Sequence, residues 1–179
     1  MRFVASIVTK EQRVVQSFNY KDYLPLGKLR TTLLNLKRWE VEEIVIKNLD
    51  KTDVSLNQNC DLLKNIVINT PITYAGFIRS RDDMKKLLDS GVDRFCFDNS
   101  IIDIEKNFNF HQDLASFCGR QAMVANVNIL MSENNELLIY DYLKRQVSGL
   151  VTDKFLSIVQ QNFSEIIFND IQSDGERKK

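Results

Sequence analysis

The sequence predicts an α/β fold in which parallel strands are joined by helices. The stretch 71–100 reads as a strand, a helix and a second strand, and Ser80 followed by Asp83 has the pattern of a helix capping box. Gly91 stands where a left-handed residue ends a helix, and an apolar run restarts at Val92. Two strands joined by one capped helix within about thirty residues are typical of a right-handed parallel crossover.

Similar runs along the chain predict six strands alternating with five helices. The strands are predicted at Phe3–Val8, Glu43–Leu49, Ile72–Tyr74, Val92–Phe97, Ala122–Ile129 and Glu165–Asn169. The helices are predicted at Lys28–Trp39, Asp61–Ile66, between Ser80 and Gly91, at Ile104–Cys118, and after the capping residue Thr152. Six parallel strands fit an open doubly wound sheet and also most of an eightfold barrel, and the local pattern does not choose between them.

The connections between these elements carry three further predictions. The Thr9–Gln12 turn followed by Arg13–Val15 predicts a short ribbon, and the residues Tyr20–Gly27 are predicted to form a long loop. The run Leu137–Tyr142 is predicted to be one half of an inserted hairpin.

Residues 1–172 are predicted to form a single domain, and residues 173–179 are predicted to be a polar tail. Six strands of a barrel leave the first and the last strand as open edges. We therefore expect self-association, pairing with a complementing barrel fragment, or closure of the gap by the 20–27 loop and the inserted hairpin.

Composition excludes several classes of function. Lys plus Arg and Asp plus Glu are equal at 24 each, so no basic field argues for nucleic acid or for a membrane surface. The sequence has neither an apolar stretch long enough to span a bilayer nor a secretory signal pattern, and we expect a cytoplasmic protein. Cys60, Cys96 and Cys118 have no metal or redox spacing and are predicted to be reduced core thiols.

No cofactor is expected. The chain contains neither GxGxxG nor GxxxxGK[ST], and no group of ligands has the spacing of a metal site. His111 is predicted to be a helix-face residue, because no carboxylate, Cys or Ser lies near it in a catalytic pattern.

The order of segments resembles the cyclase subunit of imidazole glycerol phosphate synthase, a TIM-barrel lyase of histidine biosynthesis. The segments are RFVASIVTKEQRVVQ, EVEEIVIKNLDKTD, PITYAGFIRSRDDMKKLLDSGVDRFCFDNS, RQAMVANVN and SEIIFNDIQSDG. The resemblance implies a TIM-barrel-like chain with about six of the eight units, hence an incomplete barrel. It also implies a glutamine amidotransferase partner that delivers ammonia through the barrel to a bisphosphorylated ribonucleotide.

At the carboxyl ends of the strands the chain departs from this family. Val8 and Asn128 occupy the positions of the two catalytic aspartates, so no catalytic residue is assigned. Phe77 stands in a three-glycine phosphate cradle, and Asp98 would repel a phosphate. The substrate or phosphate positions that remain matched are Lys10, Gly76, Asn99, Asp174 and Gly175.

At the amino ends of the strands the chain keeps the family's pattern. The resemblance assigns Arg2, Glu43, Arg94 and Glu165 to the ammonia entrance, and Asp93 and Gln121 to the surface that contacts the amidotransferase. Charged residues that only solvate a barrel rim are the alternative.

Three functions stay open at this point. The first is that the chain is a non-catalytic or repurposed relative that still binds an amidotransferase, for example in the amidination of a surface sugar. The alternatives are an active cyclase of histidine biosynthesis and a fragment with only a structural role.

Overall fold

The computed structural model describes residues 3–176, which form ten strands, six α-helices and one short 3₁₀ helix, Arg120–Ala122. The strands are β1 Val4–Lys10, β2 Arg13–Phe18, β3 Asp22–Lys28, β4 Glu43–Asn48, β5 Ile72–Ala75, β6 Arg94–Phe97, β7 Met123–Met131, β8 Leu137–Asp141, β9 Gln146–Leu150 and β10 Glu165–Asp170. The helices are α1 Leu29–Arg38, α2 Asp53–Lys64, α3 Arg81–Leu88, α4 Asn99–Ile102, α5 Phe108–Cys118 and α6 Asp153–Asn162.

The chain divides into two compact units, which we call unit 1 (residues 3–16 and 23–95) and unit 2 (residues 17–22 and 96–176). In unit 1, β1, β4 and β5 are parallel, with Val4 opposite Glu43 and Ile44 opposite Ile72. Because both faces of a parallel sheet are covered, every residue of β4 is buried.

In unit 2, β7 and β10 are parallel and in register from Val124 and Glu165 to Ile129 and Asp170. β8 runs antiparallel to β7, and β9 runs antiparallel to β8. The predicted inserted hairpin is therefore confirmed, and its second strand is β9. The residues of β10 are all intermediate or exposed, whereas the first six residues of β7 are buried.

The predicted α/β class is confirmed, although the consecutive strands β1 to β3 and β7 to β9 interrupt the predicted alternation of strands and helices. The two clearest helix starts are also confirmed: the Ser80 side chain accepts from the Asp83 amide, and the Thr152 side chain accepts from the Phe155 amide. The predicted ribbon after β1 is present, since β2 pairs antiparallel with the end of β1 from Val8 to Lys10. The expectation that the first strand is an open edge is wrong for those residues.

Three predicted boundaries are wrong. The predicted loop Tyr20–Gly27 is largely strand β3, which has mostly exposed side chains and accommodates Pro25. Helix α2 begins at Asp53 and not at Asp61, because the Thr52 side chain caps it by accepting from the Ser55 amide. The helix predicted at Ile104–Cys118 begins only at Phe108.

No helix within residues 3–176 combines the length and the apolar character that crossing a bilayer requires.

Candidate functional site

At the carboxyl end of β1 in unit 1, position 8 holds a valine in place of the family's acid or base. Val8 lies opposite Lys47 in the sheet, and Lys47 in turn lies opposite Ala75. Lys47 is buried and has an interaction partner within the fold. A valine has neither a proton to donate nor a lone pair to accept one, so position 8 contributes only apolar surface.

The segment predicted as a weak phosphate cradle is shaped by packing. Gly76 has a φ of +139°, and a Cβ built on it would lie 2.6 Å from the carbonyl oxygen of Asn48. Phe77 follows with a φ of +53°, and the Arg79 guanidinium lies 3.9 Å from the centre of its ring. Arg79 also pairs with Asp53. The Phe77 ring and its cation thus occupy the loop that would have to approach a phosphate.

In unit 2, the position of the second missing aspartate is held in a network of amides. The Asn128 Oδ1 atom accepts from Asn126 Nδ2 at 3.2 Å and from Asn169 Nδ2 at 3.1 Å. The Asn126 Oδ1 atom is buried and has no hydrogen-bond partner within the described residues. Amides donate and accept hydrogen bonds but do not titrate, so this cluster can orient a polar group and cannot carry a proton.

Asp98 and Asn99 follow β6 in unit 2, where the resemblance implies phosphate contacts. The Asp98 carboxylate accepts from the Tyr142 hydroxyl at 3.1 Å and from the Asn99 backbone amide at 2.6 Å. The Asn99 Oδ1 atom is buried and has no hydrogen-bond partner within residues 3–176. Asp98 thus stabilises the start of α4 and places a negative charge where a phosphate would need a donor.

The remaining carboxyl-end candidates make turn and packing contacts. Lys10 places its ammonium 4.1 Å from the centre of the Tyr23 ring, in unit 1. In unit 2, Asp174 accepts from the Ser17 hydroxyl at 2.6 Å and from the Tyr20 amide at 3.1 Å. A Cβ on Gly175 would lie 2.4 Å from the Ser17 carbonyl oxygen. Residues 173–176 therefore form a turn that packs against residues 17–20 of the same unit.

The amino ends of the unit 1 strands hold a buried charged network. The Glu43 carboxylate, 4% exposed, accepts from the Thr73 hydroxyl at 2.5 Å and lies 3.5 Å from the Arg94 guanidinium. Asp93 accepts from the Ile72 amide at 2.9 Å. The charge of Glu43 is therefore balanced by Arg94 inside the unit. The Asp93 carboxylate holds the first residue of β5 in place.

The other amino-end candidates are placed as follows. In unit 2, the backbone carbonyl of the exposed Gln121 accepts from the Ser164 hydroxyl at 3.2 Å, and Glu165 begins β10 opposite Val124. Arg2 lies outside the described residues.

Sequence reasoning missed three exposed apolar side chains on the same end of unit 1. Phe3 and Trp39 are 72% exposed and Val67 is 77% exposed. The Glu42 backbone amide donates a hydrogen bond to the Phe3 carbonyl at 3.1 Å, and Lys37 Nζ donates to the Val67 carbonyl at 2.8 Å. The readable signal was the position of the single tryptophan directly after the last basic turn of α1, where a buried core residue is not expected.

His111 lies on the buried face of α5, packed against the rings of Phe97, Phe110 and Phe163. Its Nε2 atom is 2.9 Å from the Ser100 hydroxyl, a neighbour that the sequence did not indicate. Burial lowers the pKa of His111 to about 4, and its Nδ1 atom has no partner among the described residues. An imidazole with so low a pKa and no carboxylate behind it is a poor general base.

The cysteines are free, and burial raises the pKa of the Cys60 and Cys118 thiols. Cys60 and Cys96 are buried as predicted, but Cys118 is only partly buried because it lies in the last turn of α5. Within residues 3–176 no group of three or more His, Cys, Asp or Glu side chains could hold a metal ion.

Comparison with known proteins places these observations in a family. A family model described as "Histidine biosynthesis protein" matches residues 3–178. A Vibrio vulnificus protein provisionally named imidazole glycerol phosphate synthase subunit hisF2 is 29% identical over 99% of this chain and 65% of its own length. The subunit HisF of Campylobacter lari is 26% identical over 99% of this chain and 71% of its own length.

A second provisionally named hisF2 subunit, from Campylobacter jejuni, is 22% identical over 99% of this chain and 70% of its own length. The chain therefore spans about two thirds of the length of the curated relatives it matches, consistent with about six of the eight units of a barrel. The predicted resemblance and the barrel-type α/β class are both confirmed. Because the family model matches almost the whole sequence, the chain belongs to the histidine biosynthesis protein family, whose fold is the TIM barrel.

Proposed function

We propose that this chain is a repurposed relative of the cyclase subunit that docks a glutamine amidotransferase through the amino-end surface of unit 1 and lacks cyclase activity. The relatives whose names carry the word subunit support the expectation of a partner. The function that we propose for the complex of the two proteins is the amidination of a surface sugar, in the cytoplasm.

The observation that carries the proposal is the contrast between the two ends of the strands. At the carboxyl ends, neither Val8 nor Asn128, which is hydrogen-bonded to two other side-chain amides, offers a group that titrates near neutral pH. Acid–base catalysis contributes about 10²- to 10⁴-fold to such reactions, and that contribution is lost without a titrating group.

At the amino ends of unit 1, the chain keeps features that suit a protein partner. The buried Glu43 forms a charge pair with the partly exposed Arg94, and Phe3, Trp39 and Val67 expose large apolar side chains on the same end. Tryptophan is among the residues most enriched in interface hot spots, and its truncation there typically costs about 2 kcal/mol or more. The apolar side chains would supply affinity, whereas rim charges such as Asp93 would supply orientation.

The test measures the affinity of this chain for a purified glutamine amidotransferase subunit. We expect Trp39→Ser to weaken association by about tenfold or more, which is the size of one hot spot. Leu24→Ser is the matched control, because Leu24 is 53% exposed and lies on β3. Equal loss of affinity in both variants, or no binding by the unmodified chain, would refute docking at this surface.

The catalytic half of the proposal has a separate test. We expect no steady-state product from this chain with ammonia and the bisphosphorylated ribonucleotide, under conditions in which a full-length cyclase subunit turns over. Val8→Asp combined with Asn128→Asp should restore little, because Phe77 and Asp98 still oppose phosphate binding. Product formed by the unmodified chain would show that it is an active cyclase.

A further inference from the structure

Unit 2 contains a cavity of about 250 Å³ that none of the family positions discussed above occupies. Its walls include three tyrosines, Tyr20, Tyr140 and Tyr142, and its lining continues through Leu130 and Ile171. The rings of Tyr20 and Tyr142 are 5.2 Å apart at an angle of 45°, and both side chains are 7% exposed. Buried aromatic walls of this kind bind a flat ring by stacking or edge contact.

The charged members of the lining are both cations. Lys21 and Arg145 are exposed at the cavity, and no carboxylate contributes to its lining. Within residues 3–176 neither of these two side chains takes part in an ion pair. Two uncompensated cations beside aromatic walls favour an anionic ligand.

A second cavity in unit 2 provides a contrast. It measures about 290 Å³ and its lining includes Lys106 and Lys154. These lysines already pair with two carboxylates of the same lining, at 3.2 Å with Asp103 and at 2.7 Å with Glu105. The second cavity therefore has no net charge to offer a ligand, although it is the larger of the two.

Both walls of the tyrosine cavity are fixed before any ligand arrives. Asp174 accepts from the Tyr20 amide, and Asn19 and Tyr20 adopt φ values of +53° and +51° in a tight turn. A left-handed tyrosine costs about 1 kcal/mol or more and persists only where its surroundings impose it. On the other wall, Asp141 accepts from the Leu143 and Lys144 amides at 3.0 Å and so holds the turn that carries Arg145.

We infer that the tyrosine cavity is a binding site for a small molecule that carries one planar ring and one carboxylate or phosphate group. The ring lies among Tyr20, Tyr140 and Tyr142, and the anionic group lies at the rim against Lys21 and Arg145. This site is independent of the proposed amidotransferase partner, because it uses neither Trp39 nor the Glu43 pair.

The test titrates the whole chain with benzoate, with phenyl phosphate and with the neutral benzamide, by calorimetry and by amide NMR shifts. We expect at least one of the two anions to bind about tenfold more tightly than benzamide and to shift the amides of residues 19–21 and 140–145. The tighter of the two anions identifies the anionic group as carboxylate or phosphate. Inorganic phosphate, which has no ring, should bind more weakly than phenyl phosphate.

Two charge variants decide the role of the rim. Lys21→Gln combined with Arg145→Gln should weaken binding of the preferred anion by about tenfold, and both side chains are exposed, so the fold should be kept. Lys106→Gln combined with Lys154→Gln, in the second cavity, should leave binding unchanged. Equal binding of all ring compounds, shifts elsewhere in the chain, equal losses in both variants, or no binding at millimolar concentration would each refute the site.

Discussion

Gly76 lies so close to Asn48 that a methyl group on residue 76 would be 2.6 Å from the Asn48 carbonyl oxygen and 2.9 Å from its Cβ. Asn48 cannot easily move away. Its side-chain amide donates to the Tyr74 hydroxyl at 3.1 Å and to the Ser55 hydroxyl at 3.0 Å. The close contact between Asn48 at the end of β4 and Gly76 after β5 therefore leaves no room for a side chain at residue 76.

We expect Gly76→Ala to lower the free energy of unfolding by about 2–4 kcal/mol, since the φ of +139° and the steric overlap both act against a side chain. Gly149→Ala is the control, because a Cβ at residue 149 meets no atom within 4 Å. Chemical denaturation measures both variants. A loss at Gly76 no larger than that at Gly149 would show that β4 and β5 separate easily at this point.

Protonation of His111 should destabilise the fold in mild acid. Burial lowers the pKa of His111 from 6.5 to about 4, so the unfolded chain binds this proton more readily than the folded chain. The stability contributed by neutral His111 is complete above pH 6.5 and is lost as the pH falls towards 4. We expect a loss of about 2 kcal/mol between pH 7 and pH 5 from this residue alone.

Denaturation curves of the unmodified chain and of His111→Phe at pH 7 and at pH 5 provide the measurement. Phenylalanine suits the aromatic neighbours Phe97 and Phe163 and does not titrate. The variant should lose less stability than the unmodified chain over this interval. Parallel losses in the two proteins would contradict the assignment of the acid sensitivity to His111.

The hydroxyl of Thr73 should be required to keep the Glu43 carboxylate buried. Thr73 is fully buried and donates to Glu43 at 2.5 Å. We expect Thr73→Val to lower the free energy of unfolding by about 1–3 kcal/mol, because the carboxylate then loses a donor that water cannot replace. Thr73→Ser keeps the hydroxyl and should cost clearly less, and the reverse order of the two variants would overturn this reading.

The strand edge of β10 that does not face β7 should drive association of the chain with itself or with another strand. Within residues 3–176, β10 pairs only with β7, and Phe168 on β10 is 45% exposed. A strand with one unpaired edge and exposed apolar side chains invites another strand. We expect the mean mass from light scattering to rise with concentration in the micromolar range, through self-association or through a complementing fragment if one is supplied.

Phe168→Lys should suppress that rise, whereas Leu88→Lys should not, because Leu88 is 41% exposed but lies on helix α3. A monodisperse monomer at all concentrations, or equal suppression by both variants, would exclude association through β10.

Local chemistry explains which elements the sequence predicted well. Ser80 and Thr152 are capping residues, and each is followed by a helix with a periodic apolar face, so both helix starts were predictable. Thr52 is an equally good cap, and Leu56, Cys60 and Leu63 follow it at helical spacing. The polar residues between them hid this pattern, and the start of α2 was therefore placed too late.

The parts that could not be predicted depend on contacts between distant residues. β3 contains Pro25 and Gly27, which favour a loop locally, and only pairing in the sheet makes the segment a strand. The tyrosine cavity joins residues 19–21 to residues 140–145, which no local pattern connects. The identities of Val8 and Asn128 were readable at once, whereas the amide network around Asn128 required coordinates.

The turn at Asp174 has a consequence for the order in which the protein is made. The hairpin tip at residues 17–22 is synthesised early, yet its fastening groups are the Asp174 carboxylate and the Asp174 carbonyl, which accept from Ser17, Tyr20 and Asn19. On a ribosome, the tip must therefore wait for more than a hundred further residues before it can settle, since domains form as their last contacts emerge. Until residue 174 has been made, the tip lacks all three of these hydrogen bonds.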